Sequence, residues 1–204
     1  MSKARIEKQT HQILHRYDIG QHVTDEDEVL FLLDLFSQHP DWPKKKGVGV
    51  ESISITQSAF KTRCFVLHRW DGSTTDISYK KCVSPPSDEQ LIRQACRDAL
   101  HPQIYAFRNA HVVFGVTRCP ITNDVLTREN THIDHYELTF DEMFRLWLPQ
   151  WDMEDLLAGL APACDNAYGR RFANNKIIDH FIQFHDGHCK LRAVTRKANL
   201  SLLK

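Results

Sequence analysis

Cysteine occurs in this chain without a ligand pattern: Cys64, Cys82, Cys96, Cys119, Cys164 and Cys189 include no Cys-x-x-Cys pair. That absence argues against a zinc ribbon and against a disulfide framework, and leaves reduced, buried thiols as the simplest reading. Glycine is scarce too, at 8 in 204 residues, and neither a Walker loop nor a dinucleotide-binding glycine pattern is present. A nucleotide-hydrolysing motor is thereby excluded. No apolar run approaches membrane length, and Met1-Ser2-Lys3-Ala4-Arg5-Ile6-Glu7 lacks a signal-peptide core, so a cytoplasmic protein without a membrane partner is expected. Net charge is absent as well, Lys+Arg and Asp+Glu each totalling 26. Many nucleic-acid binders carry a positive excess. Internal repeats and low-complexity tracts are missing.

What is there is an ordinary globular composition, 42% apolar and 25% charged, long enough for one good core or one core with an appendage. The charge is unevenly placed. From Lys190 the tail carries Lys190, Arg192, Arg196, Lys197 and Lys204 with no acid, whereas Asp25, Glu26, Asp27, Glu28 and Asp34 crowd an early segment. A local basic face can hold phosphate on a neutral molecule.

Residues 3–17 and 25–38 read as two helices, the second capped by Thr24 or Asp25 and striped with Val29, Leu30, Leu32, Leu33 and Phe36. His39-Pro40 and the basic connector through Gly47 end it, which predicts an accessory or oligomerisation segment at 1–46 and an α+β domain at 47–204. Residues 48–83 read as a β-meander whose Arg63–Trp70 and Thr75–Val83 strands flank the hairpin signal Asp71-Gly72. A helix follows Ser87, broken near Pro102. His111–Cys119 reads as strand again, and Asn123-Asp124 turns into a strand ending at Asp134-His135. Thr139-x-x-Glu142 caps a further helix. Two more helices, at 152–160 and 171–185, precede a strand at 190–194 and a short terminal helix from Arg196.

Asp134-His135, within His132-Ile133-Asp134-His135, is the pair with the most chemistry in it. A carboxylate beside an imidazole at a strand end can divide one task, the Asp holding a divalent metal on phosphate and the His taking a proton from water. Hard oxygen donors suit Mg²⁺ or Mn²⁺, and a neutral imidazole serves as base near pH 7. Near the C-terminus, Leu191-Arg192-Ala193-Val194-Thr195-Arg196-Lys197-Ala198-Asn199 completes a phrase. Asp-His followed by Leu-Arg-x-Val-Thr-x-x-x-Asn resembles the ββα-metal core of HNH endonucleases. The resemblance implies Asp134 and Asn199 as metal ligands and His135 as general base. It also implies a long helical insertion between the halves of the core, which loop-closure entropy tolerates. Lys190 stands where that family usually has an Asn that orients the base.

A second resemblance rests on Arg63-Cys64-Phe65-Val66-Leu67, Asp71-Gly72-Ser73 and Asp76-Ile77-Ser78-Tyr79-Lys80-Lys81-Cys82. These are similar to the DeCL/DUF3223 family. Cys119-Pro120-Ile121-Thr122 through His135 and Thr139-Phe140 looks like its bacterial and phage members, so the likeness is expected from about Lys61 to Asn199. Plant members are linked to chloroplast ribosomal RNA maturation and to a domain of an RNA-polymerase subunit, which implies a nucleic-acid context.

The expected fold is therefore α+β: a small antiparallel sheet with flanking helices and an HNH-like core carrying a long helical insertion. The leading expectation for function is an endonuclease that hydrolyses DNA phosphodiesters, with RNA as the other substrate the residues allow. Lys190, Arg192, Arg196 and Lys197 would touch nucleic acid, with Arg192 the best phosphate contact because guanidinium matches phosphate oxygens. His132, His185 and His188 are candidate supporting residues. A homodimer would serve an enzyme making two cuts. The alternative is a non-catalytic nucleic-acid-binding or polymerase-associated module, favoured by Lys190 in the orienting position and by the zero net charge. A structural zinc, with Cys119 near His132 or Cys189 near His188, is a lesser reading. Trp70, Tyr79 and Arg69 could stack on bases, although aromatics of a small sheet are more often core.

Overall fold

The computed structural model describes residues 1–58, 61–162 and 169–203, so Cys164 and Lys204 lie outside the described residues. The chain divides into two compact units, Met1–Ser87 and a second built from Asp88–Pro162 and the segment from Gly169 onward. The fold is α+β, with helices flanking small antiparallel sheets.

The first unit begins with α1 (Lys3–Arg16), α2 (Glu26–Phe36) and the short α3 (Trp42–Lys46). The Asp25 side chain accepts the Glu28 amide and caps α2, as expected, and three acids in its first turn suit the helix dipole. Strands β1 (Val50–Gln57), β2 (Arg63–Arg69) and β3 (Thr74–Ile77) form an antiparallel meander, with Phe65 facing Ile55 and Ile77 in register. Gly72 turns between β2 and β3 with a φ of 79°, a backbone that favours glycine. The residues expected to prolong β3 instead form helix α4 (Tyr79–Val83). Its Cys82 and Val83 join the core, and a five-residue apolar–basic run carries no period by which strand and helix can be told apart.

Ile13, Leu14, Leu32 and Phe36 of α1 and α2 share one buried cluster with Ile53, Ile55, Phe65 and Leu67 of the sheet. The expected boundary after residue 46 is thus not where the chain divides, because the helices bury the apolar face of the sheet. Charged groups reinforce the joints. Arg69, buried, donates to the carbonyls of Lys44 and Lys45 at 3.1 and 3.0 Å, satisfying the end of α3. Its side chain also lies against Gly47, where an added Cβ would come within 2.9 Å of Arg69 Cδ. Lys45 Nζ donates to Thr75 Oγ1 at 2.8 Å and to the Asp76 carbonyl at 2.7 Å. Arg63 donates to the Leu14 and Tyr17 carbonyls, and Glu28 accepts from Arg16 and from Tyr17.

The second unit comprises α5 (Asp88–Ala99), α6 (His101–His111), β4 (Thr131–Tyr136), α7 (Phe140–Trp147), α8 (Met153–Ala158), α9 (Asn175–His188), β5 (Lys190–Thr195) and a short π-helix at Ala198–Leu202. Pro102 starts α6 within its first turn, which is where proline is tolerated. Residues 112–119 are turns and an isolated Arg118–Val125 bridge rather than the expected strand. Their valines are split, Val112 buried and Val113 and Val116 exposed, so no face pays for a strand. Thr139 and Glu142 form the expected capping box on α7. Helix α9 runs through Gly187 to His188, past the expected end at residue 185. Ile92, Cys96, Phe144, Trp147, Ile177 and Phe181 form the main core of this unit, from α5, α7 and α9.

Candidate functional site

Strands β4 and β5 pair antiparallel, Asp134 opposite Arg192 and His135 opposite Leu191. The polypeptide between them is α7, α8 and α9, the expected helical excursion. At the far end of β5 the chain turns into the terminal π-helix at a tightly bonded corner. The Cys119 thiol accepts the Thr195 amide at 3.3 Å, and Thr195 Oγ1 accepts the Ala198 amide at 3.2 Å. The Arg196 amide donates to the Asn130 carbonyl at 2.6 Å, tying this corner to the start of β4. Hydrogen bonds from Thr122 and Thr195 bring the Cys119 thiol down to about 7 against the opposing effect of burial. These bonds fix Asn199 beside β4.

A cavity of about 330 Å³ opens here, lined by Asp134, His135 and Asn199 together with Arg97, His101 and Phe140. The three residues that the HNH resemblance assigns as ligands and base therefore share one cavity. Each also has a protein partner. Asp134 Oδ2 accepts from Arg192 Nε at 2.8 Å, and the Arg192 guanidinium lies over Tyr136. Asn199 Nδ2 donates to His132 Nδ1 at 3.0 Å. His135 Nε2 sits 3.1 Å from His185 Nε2. Burial first, then His185 and Arg97, against the opposing Asp134, lower the pKa of His135 to about 4. A base with that environment is neutral at pH 7. Burial and then Arg196 lower the pKa of His132, and burial lowers that of His185 against Asp186.

The expected nucleic-acid contacts are scattered. Arg192 is a partner of Asp134 rather than a free phosphate contact, because its place in the β-ladder is directly opposite the carboxylate. Lys190 pairs with Glu137 at 2.8 Å, which raises its pKa, and it does not line the cavity. Arg196 and Lys197 are exposed and have no ion-pair partner among the described residues. His132 and His185 touch Asn199 and His135 respectively, whereas His188 stacks on Phe184 and donates to its carbonyl, outside the cavity lining. Arg97 and His101 escaped the sequence reading. Nothing in the sequence spacing links the junction of α5 and α6 to Asp134. Among the described residues no three His, Cys, Asp or Glu side chains group to hold a metal. In the first unit, Trp70 is 67% exposed, Tyr79 is packed against the core and Arg69 is buried.

Residues 11–83 match the family model described as "Protein of unknown function (DUF3223)". A 75-residue stretch is 36% identical to Protein DCL, chloroplastic, of Solanum lycopersicum, covering 35% of this chain and 34% of that one. Another, of 73 residues, is 38% identical to DNA-directed RNA polymerase IV subunit 1 of Arabidopsis thaliana, covering 35% of this chain and 5% of the subunit. An uncharacterized Rhodospirillum rubrum protein solved by NMR is 35% identical over 39% of this chain and 76% of its own, with a TM-score of 0.37. The N-terminal unit is thus a DUF3223 domain. The chain is related to Protein DCL and spans 34% of that protein's length. The match takes in the C-terminal part of α1 from residue 11 and all of α2, expected to be accessory, and ends before Asp88, so Asp134, His135 and Asn199 fall outside it. No helix among the described residues is long and apolar enough to cross a membrane.

Proposed function

We propose that this chain is a nucleic-acid-associated protein whose DUF3223 domain is a non-catalytic module that binds nucleic acid or a polymerase. The DUF3223 match of residues 11–83, with the likeness of a 73-residue stretch to an RNA polymerase subunit and of a 75-residue stretch to Protein DCL, carries this reading. The domain's own chemistry agrees with it. Lys45, Arg63, Arg69 and Glu28 are engaged in holding backbone and neighbours, while the exposed Trp70 offers a face on which a base can stack. Gel retardation of single-stranded RNA and duplex DNA by the full chain tests it. Retention that weakens as salt rises is expected; free migration of both nucleic acids at low salt, with no polymerase subunit retained, would overturn it.

A second reading is favoured by one observation, the convergence of Asp134, His135 and Asn199 on a single cavity. On this reading the second unit hydrolyses phosphodiesters. The donor set, one carboxylate and one amide oxygen, suits a hard divalent cation that keeps most of its waters, and is too small for a zinc cage. Mg²⁺ or Mn²⁺ held by Asp134 and Asn199 would stabilise charge on the phosphate. His135, neutral, takes a proton from water; the water oxygen bonds to phosphorus, the bond to the leaving ribose oxygen breaks, and solvent protonates that oxygen. Arg192 holds Asp134 in place, and Arg97 lies where a phosphate oxygen could reach it. Substituting His135→Ala should slow cleavage by roughly 10²–10⁴-fold, the usual share of a general base, with nucleic-acid retention unchanged. Plasmid nicking at the wild-type rate in that variant would remove the mechanism.

A further inference from the structure

We infer that His185 and Asp186, on α9, are positioning residues that hold His135 in a single tautomer, with the hydrogen on Nε2 and the lone pair on Nδ1; this deepens the hydrolytic reading and rests on it. His135 and His185 approach through their Nε2 atoms at 3.1 Å, with their rings nearly perpendicular. Two neutral imidazole nitrogens at that distance share one hydrogen, so one ring donates and the other accepts. Asp186 decides which. Its Oδ1 lies 3.4 Å from His185 Nδ1, and an ionised carboxylate only accepts. The His185 hydrogen therefore sits on Nδ1, its Nε2 becomes the acceptor, and His135 must donate from Nε2.

Asp186 is held in turn from α6, where Gln103 Nε2 donates to both of its carboxylate oxygens at 3.0 Å. The chain of bonds thus runs Gln103, Asp186, His185, His135, and draws on α6, α9 and β4. His185 is 2% exposed, so water does not compete for its nitrogen, and it lies behind the cavity that His135 lines. The opposite tautomer would leave His135 without a lone pair on Nδ1 to accept the water's hydrogen. As Nδ1 gains a proton, the Nε2–H bond to His185 becomes charge-assisted and shorter, and the positive charge is met by the Asp186 carboxylate at the end of the chain. A second imidazole acting through the first, and touching no substrate, orients the base as outer partners orient metal-bound histidines.

The test is a long-range proton–nitrogen correlation spectrum of the full chain labelled with ¹⁵N-histidine at neutral pH, with His135 assigned by the signals missing in His135→Gln. The expected result is the Nε2–H tautomer at His135. His185→Phe removes the acceptor and should mix the tautomers, and the plasmid-nicking kcat should fall by roughly tenfold to a hundredfold with KM unchanged. His185→Gln, whose Oε1 can accept, should restore both. Should His185→Phe fail to fold, Asp186→Ala at an exposed position, which removes the acceptor that fixes the His185 hydrogen, carries the same expectation. A His135 Nδ1–H tautomer in the unmodified protein, or an unchanged tautomer in Asp186→Ala and in any folded His185→Phe, would overturn the inference. A fixed Nε2–H tautomer in a protein that cuts no plasmid supports the positioning and overturns the hydrolytic reading alone.

Discussion

The two units use their charged side chains in opposite ways. In the DUF3223 unit Arg63, Arg69 and Lys45 reach backbone carbonyls and Glu28 holds two neighbours, so these charges are spent on joining helices to sheet. In the second unit Asp134, His135 and Asn199 are half-buried around a cavity, each with a partner that fixes it but leaves an edge on the wall. Buried charge that closes a joint favours a stable platform. Polar groups held in place around an open space favour recognition or reaction.

That contrast can be broken by substitution. The largest effect is expected for Arg69→Ala, which leaves the Lys44 and Lys45 carbonyls without their guanidinium partner and removes buried packing. A loss of roughly 2–4 kcal/mol in unfolding free energy is expected from stranded buried acceptors, read from denaturant midpoints. A shift within about 0.5 kcal/mol would mean that Arg69 is a surface decoration.

A smaller effect concerns pH. Burial takes His39 down to about 4, with Lys81 and Lys45 adding to it and Asp41 and Asp76 opposing. Its Nδ1 accepts the Asp41 amide at 3.0 Å, a bond that a proton on that nitrogen would break. The folded pKa lies below the unfolded value of 6.5, so the unfolded chain takes the proton first. Stability should therefore fall as pH drops from 6.5 towards about 4, and His39→Gln should flatten part of that fall. Equal slopes in both proteins would assign the acid sensitivity elsewhere.

Much of this layout was legible from the sequence where the cause is local. Asp71-Gly72 announced the hairpin, and Asp25 and Thr139 announced their helices. Asp134-His135 near a strand end and Asn199 in a final helical turn were readable as a phrase, and the three residues line one cavity. What was not legible came from pairing across long separations. Arg192 became the partner of Asp134 only because β5 pairs with β4 in one register. Arg97 and His101 reach the cavity through packing of the helices, and the extent of the family match depended on α1 and α2 burying the sheet. Tyr79–Val83 was misread because five residues carry too little periodicity, and residues 112–119 because valine prefers strands without requiring them.

The most direct test of the proposed division between platform and reaction cavity is one plasmid experiment. Supercoiled DNA is incubated with the protein and Mg²⁺ or Mn²⁺, and nicking and retardation are read from the same gel for the unmodified chain and for Asp134→Ala. The account predicts nicking that disappears in Asp134→Ala while retardation persists. Intact plasmid with the unmodified chain, or nicks that survive the loss of Asp134, would contradict it.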